Sequence, residues 1–250
     1  MSRIIGVLNY KGGTAKTTTV VNVAAGLAMR GARVLCIDLD AQGGLALSLG
    51  TRYLYTLTDL LLGRAEPEDC VVRARHNLDI IASDRRLLAA EGELWRMGDE
   101  KAARRRLADG MRDIRGYDYI LLDFSPSVNI VSENGLLFTE EMIVPVATDY
   151  MALAGTRQVI DTLKSVYWEM QHYIKLYLVL PSFYYEQRRK DREVIELLQR
   201  YFGNRVAEPI RANVRLAEAP GFGQTIYEYD PRCSGAEDYG RLVERIVKDG

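Results

Sequence analysis

The chain has few cysteines, no long apolar run and almost no charge imbalance, and each shortage removes a class of protein. Its 250 residues include three cysteines, Cys36, Cys70 and Cys233. They are odd in number and share no spacing, which speaks against a disulfide framework or a metal cluster and for a reducing cytosol. No apolar stretch approaches the roughly 20 residues that a membrane span needs. Met1-Ser2-Arg3 leads straight into a strand-like segment with no signal peptide. From these features a cytoplasmic protein is expected. Lys and Arg number 33 against 34 Asp and Glu, a formal net charge of −1, so any contact with nucleic acid has to come from a local patch. No linker, internal repeat or low-complexity segment interrupts the chain. What is present is ordinary for a globular α/β protein, 48% hydrophobic and 27% charged residues, in a length that can bury a sheet on both faces.

The rest is organised around Ile4 to Thr19, IIGVLNYKGGTAKTTT. Ile4 to Leu8 is a short run rich in β-branched residues, the pattern of a buried strand. It breaks at Lys11-Gly12-Gly13-Thr14-Ala15-Lys16-Thr17-Thr18 and resumes with helical spacing. A strand, a glycine-bearing turn and a helix start make a phosphate cradle. Backbone N–H groups and the positive end of the helix dipole converge there, and Lys16 adds a full charge. Thr17 stands where its hydroxyl can meet a magnesium ion bridging two phosphates. The stretch departs from the usual G-x-x-x-x-G-K-[ST]. Lys11 stands where many such loops open with glycine, and Ala15 where the second glycine is expected. The competing reading is a plain Gly/Thr-rich turn between two core elements.

Two more strand ends carry carboxylates. Arg33 to Asp38 reads as a buried strand leading into Leu39-Asp40-Ala41-Gln42-Gly43-Gly44. Asp38 and Asp40 share a face if the strand continues, at the end where α/β sheets bind ligands. Tyr119 to Asp123 is an apolar strand ending in an acid, the form that sets an aspartate beside magnesium. Further strands are expected at 78–81, 142–146 and 174–180. Helices are expected over 17–29, 58–62, 87–107 and 151–173, with another capped by Asp191 and running to about Phe202, and a closing one opening at Ser234. Residues 51–77 read as irregular apart from the short helix. The run Arg104-Arg105-Arg106 reads as a solvated helix face ahead of a DNA patch, and Trp95 as packing. Strands alternating with helices predict a single doubly wound, mostly parallel β-sheet flanked by helices.

Lysines at both ends of the loop, KGGxxKTT, resemble the deviant Walker A motif of the ParA/MinD family of dimeric P-loop ATPases. Where relatives read D-x-D-P-Q-G-N this chain has Asp38 to Gly44, with Ala41 for the proline and Gly44 for the asparagine. Where they read D-x-P-P-S it has Asp123-Phe124-Ser125-Pro126-Ser127. The stretches Asn213 to Pro220 (N-V-R-L-x-E-A-P) and Ser234 to Tyr239 (S-G-A-x-x-Y) are similar to the Soj-like ParA branch, so the resemblance spans nearly the whole chain. It implies one ATPase domain over residues 1–250, without the amino-terminal DNA-binding extension of larger partition ATPases. It also implies slow, magnesium-dependent, partner-stimulated ATP hydrolysis.

Residue by residue, the resemblance assigns ATP to Gly12, Gly13, Thr14, Ala15, Lys16, Thr17 and Thr18. It sets Pro209 and Arg211 close to the adenine, where relatives have Ile-Pro in place of Ile210-Arg211. Magnesium falls to Thr17, Asp38 and Asp123, and Asp40 of switch I positions or activates the attacking water. Lys11 reaches across a two-fold interface to the phosphates of a second copy, giving an ATP-dependent homodimer. Soj-like relatives bind double-stranded DNA without sequence preference, and the matching cations are Arg188, Arg189, Lys190, Arg211 and Arg215. The alternative there is a solvated cluster paired with Asp191 and Glu193. The implied role is to distribute a plasmid, chromosome origin or protein assembly over the nucleoid, with a small ParB-like or other activating partner.

Two other classes stay in view. A MinD-like membrane switch needs an amphipathic carboxy-terminal helix, but Arg241 to Lys248 is short, includes an acid and lacks aromatic anchors, so burial against the sheet is expected. Iron–sulfur relatives need paired cysteines near the switch loops, and none lie there. Ala15 predicts weaker dimerisation or slower hydrolysis than glycine would, with an ATP-binding switch of little turnover as the extreme.

Overall fold

The computed structural model describes residues 2–250. Seven strands form one sheet: β1 (Arg3–Val7), β2 (Val34–Leu39), β3 (Val71–Arg75), β4 (Leu78–Ile81), β5 (Tyr119–Phe124), β6 (Glu141–Ala147) and β7 (Lys175–Ser182), in the order β3-β4-β2-β5-β1-β6-β7. Every neighbouring pair is parallel except β3 with β4. The doubly wound sheet expected from the sequence is therefore present, with one antiparallel edge.

Alternation along each strand divides the core between two faces. In β2, Leu35, Ile37 and Leu39 pack on one side with Leu122 and Phe124 of β5, while Val34 and Cys36 pack on the other with Leu121. The first face is covered by helices Leu87–Trp95, Ile130–Phe138, Ala152–Met170 and Arg189–Phe202. The second is covered by helices Lys16–Met29 and Ser234–Lys248. The closing helix buries Tyr239, Leu242, Val243 and Ile246, so its apolar stripe is spent on the core, as expected. No helix among the described residues is long and apolar enough to cross a membrane.

Four local expectations are corrected. Residues 71–75, read as irregular, form the antiparallel edge strand β3; four of its five residues, VVRAR, are only partly buried and one is exposed, so no apolar run marks it. The single helix expected over 87–107 is three pieces, Leu87–Trp95, Glu100–Ala103 and Arg106–Gly110, because Gly98 adopts φ 76° and Asp99 caps the second piece by accepting from the Ala102 N–H. The helix expected to Tyr173 stops at Met170, where Gln171 turns left-handed at φ 53°. Asp191 is not the cap of helix Arg189–Phe202. It lies within the first turn, fully buried, and accepts from the backbone N–H of Tyr185 at 2.8 Å, pinning the preceding loop.

Candidate nucleotide site

The chain enters the site at the carboxyl end of β1, between β5 and β6, where the connections leave the sheet in opposite directions; that switch point is where open α/β sheets bind ligands. Gly12 and Gly13 are exposed, and an added Cβ at either would meet nothing within 4 Å, so the loop mouth is open. No side chain caps the helix that begins at Lys16. Its first amides are left facing the mouth with the positive end of the dipole behind them, an arrangement an anion satisfies. The loop is held from behind. Asn9 donates to the Pro145 carbonyl and accepts from the Lys11 N–H, and the Ser182 hydroxyl donates to the Thr14 carbonyl at 3.2 Å. Thr18 is half-buried on the helix, and its carbonyl accepts from Asn22.

Ala15 sits at φ 70°, ψ 32°, in the left-handed region, and its carbonyl accepts from the Thr19 N–H. The position thus has the backbone shape that favours glycine, and alanine holds it at a cost of about 1 kcal/mol.

Charge is concentrated behind the loop. The register of β2 against β5 sets Asp38 beside Asp123, and that of β1 against β5 sets Val7 beside the same aspartate. Both aspartates are buried. Asp38 accepts from the N–H groups of Asp40 and Leu45, each at 3.0 Å. Burial nevertheless raises its pKa to about 7, against the pull of those two amides. Neither oxygen of Asp123 has a hydrogen-bond partner. Burial, and then the Asp38 charge, push Asp123 well above the usual carboxylate range, while the Thr17 hydroxyl and the Lys16 ammonium pull the other way. Lys16 is itself buried, which lowers its pKa, with Asp123 and Asp40 opposing.

Two adjacent buried carboxylates, one without a partner, are costly unless a cation joins them. The donor set fits a magnesium ion held by few protein groups and otherwise by water and phosphate. Thr17, Asp38 and Asp123 would hold it. Among the described residues no group of three or more His, Cys, Asp and Glu side chains forms a metal site by itself. Gly44 lies against Thr17, and a Cβ there would come within 3.0 Å of its methyl and 3.2 Å of its hydroxyl oxygen. Glycine at that point leaves Thr17 free to turn.

Asp40 does not share a face with Asp38, because β2 ends at Leu39. It stands in the following loop, accepting from the Gln42 N–H at 3.0 Å, and the Ser83 hydroxyl donates to its carbonyl. Lys11 is exposed and its ammonium pairs with Asp149, beyond the end of β6. It is not directed at its own phosphate loop. Asp149, Asn9, Ser182 and Ser83 had no sequence signal beyond lying near strand ends.

The remaining candidates are dispersed. Pro209 is half-buried on the segment beside β7, where Ile210 donates to the Pro181 carbonyl. Arg211 is bound by the fully buried carboxylate of Asp238 and by Glu237. Arg215 pairs with Glu218 at 2.9 Å and Asp230 at 3.6 Å. Arg189 pairs with Glu193 at 2.7 Å and Lys190 with Asp191 at 3.4 Å, whereas Arg188 lies over the Tyr185 ring at 3.6 Å with no carboxylate in ion-pair range among the described residues. In the Arg104–Arg106 run, Arg104 pairs with Glu100 and Glu133 and Arg106 donates to the Leu61 carbonyl, so two of the three arginines are engaged within the fold. Trp95 is half-exposed beneath Arg104.

A switch-point phosphate loop, a lysine on the first helical turn and a strand-end aspartate behind it define a P-loop ATPase, of the kind with a second lysine at the loop entrance. Comparison with known proteins gives the family. An AAA domain matches residues 2–176. The chain is 37% identical to the chromosome-partitioning ATPase Soj of Thermus thermophilus, covering 98% of this chain and 95% of that protein. It is 33% identical to the chromosome partitioning protein ParA of Caulobacter vibrioides, covering 98% and 94%. The crystal structure of cobyrinic acid a,c-diamide synthase from Mycobacterium smegmatis with bound ADP and magnesium has a TM-score of 0.85 at 28% identity, covering 99% of this chain and 95% of that one. The chain belongs to the ParA/MinD family of P-loop ATPases, on its Soj/ParA branch.

Proposed function

We propose that this ATPase is a switch that ATP closes into a homodimer and that hydrolysis opens. The observation that carries the reading is what surrounds the loop mouth. Lys11 faces outward on the same edge of the sheet as a set of exposed apolar side chains that follow the strand ends, among them Leu47, Leu54 (79% exposed), Val128, Tyr150 (74%) and Met151. Large apolar side chains left exposed after several strand ends are surface that a partner can bury. A second copy turned face to face would cover it and bring each Lys11 from Asp149 to the opposite phosphates. Phosphoryl transfer needs placement and charge neutralisation. Lys16 and the loop amides hold the phosphates and Asp40 orients water. Thr17, Asp38 and Asp123 would hold magnesium, which when bound would offset phosphate charge. Turnover is slow and rises with a ParB-like or other small activating partner.

The dimer binds double-stranded DNA without sequence preference and so positions a cargo over the nucleoid. Arg188 and Arg189 lead that contact, with Arg215 joining by exchanging an exposed ion pair, which holds little energy, for phosphate, and Lys190 adding its charge from beside the buried Asp191. Arg211 has a different part. Its guanidinium neutralises the buried Asp238, so it holds the segment beside the nucleotide and is not free for DNA. DNA binding measured against salt with ATP, with ADP and without nucleotide tests the reading. Tight binding with ATP alone, falling steeply as salt rises, is expected; equal binding in all three states would overturn it.

A further inference from the structure

The structure has a second exposed apolar region, at the opposite edge of the sheet from the nucleotide. Three segment ends meet there: the carboxyl end of helix Ala152–Met170, the start of β7, and the carboxyl end of helix Arg189–Phe202. Between them lies a groove of about 480 Å³. Its floor is aliphatic, with Leu163 and Ile174 buried and Leu176 partly so. Its rim is aromatic: Tyr167, Tyr173 and Tyr201 are exposed, and Trp168 next to them is 71% exposed. Tyr167 meets Trp168 and Tyr173 edge-on at 4.9 and 6.3 Å, so the rings are already ordered against one another.

The charged side chains that line it have one sign. Lys164, Lys175 and Arg205 line the groove and no carboxylate does. Lys175 is paired with Glu141 at 2.8 Å; Lys164 has only Asp161 at 3.9 Å. Arg205 is exposed and has no carboxylate in ion-pair range among the described residues. We propose that this groove docks an acidic peptide segment of a partner protein, its apolar side chains on the aliphatic floor and its carboxylates on Arg205 and Lys164. Rigid tyrosine rings and a cation at the rim are what such anchors use. The volume suits a few side chains rather than a folded surface. Both helices end here and direct partial negative charge at the rim. An anionic group is therefore held there by the side-chain cations, and a ligand with few charges meets less opposition than a densely charged strand. The site is remote from the phosphate loop, so its occupation does not depend on the dimer or DNA reading.

The test is a random peptide display library selected on the intact protein and counter-selected on a Tyr201→Ala, Arg205→Glu variant, both residues being exposed. Trp168 then reports binding of the selected peptide in a Trp95→Phe background. Enrichment of acidic, apolar sequences that shift Trp168 emission to shorter wavelength is expected. Affinity should fall about tenfold or more in the variant, with ATPase rate and thermal midpoint unchanged. No enrichment, enrichment of basic sequences, equal binding to the variant, or a Trp168 response only to single-stranded oligonucleotide or anionic vesicles would overturn the proposal.

Discussion

The phosphate loop and the basic cluster around Arg188 both carry charge, and they treat it in opposite ways. Behind the loop, charge is buried and left without a partner: Asp123 has no hydrogen bond, and Asp38 stands beside it in register. On the basic cluster most charge is exposed and paired: Arg189 has Glu193 and Arg215 has Glu218, while Lys190 stands beside the buried Asp191 and Arg188 lies over the Tyr185 ring. A buried carboxylate without a hydrogen-bond partner is costly in its charged form unless it keeps a proton or meets a cation, so beside a phosphate loop it points to a ligand. Exposed pairs cost almost nothing to make or exchange, so their presence neither requires nor excludes a polyanion.

The largest expected effect is at the loop. Lys16→Ala removes the one full positive charge inside the cradle, and ATP turnover should fall by about a hundredfold or more; single-turnover hydrolysis checks it, and a loss of only a few-fold would put the phosphates elsewhere. Next comes the exposed cluster. Arg188→Glu combined with Arg189→Glu should weaken DNA binding by about tenfold and lower the slope of log affinity against log salt by about one for each phosphate no longer bound. Unchanged affinity in a filter or anisotropy assay would make the cluster a solvated surface and sharpen the contrast further.

A third effect is in stability against pH. Asp38, with its pKa near 7, and Asp123, raised in the same sense, keep protons in the fold over a range where the unfolded chain has released them. The metal-free protein therefore loses stability as pH rises from about 4 to about 7. Asp123→Asn should flatten that slope, and magnesium with ADP should reverse it, because the cation binds the deprotonated pair. Thermal midpoints across the range decide the matter. The smallest effect belongs to Ala15→Gly. Relief of the left-handed backbone is worth about 1 kcal/mol to the fold. The same change should tighten the ATP dimer or raise turnover by removing a methyl from the loop mouth, and equal dimer affinity with equal turnover would leave Ala15 without a functional part.

Much of the candidate site is legible in the sequence. Strand-turn-helix patterning placed Lys11 to Thr18, and two apolar strands ending in acids placed Asp38 and Asp123, because short buried parallel strands read as unbroken apolar runs. The register that sets those two acids side by side was not legible, since pairing across β2 and β5 depends on connections far apart in sequence. Nor was the half-exposed edge strand β3, which has no continuous apolar run. Asp191 looked like a helix cap by position, but it lies inside the first turn, fully buried, and its carboxylate accepts from the Tyr185 N–H. Arg211 looked like a free cation until the fold set it on Asp238, 27 residues away. Sequence showed which residue types were present, and long-range pairing decided which charges remained available.

The most direct test of the ATP-closed switch is solution mass with magnesium and ATP, made on an Asp40→Ala variant to slow hydrolysis, with and without Lys11→Ala. A switch bridged by Lys11 predicts a dimer with ATP, a monomer with ADP, and a monomer in both states once Lys11 is removed. Monomers throughout, or a dimer that forms equally well without Lys11, would refute it.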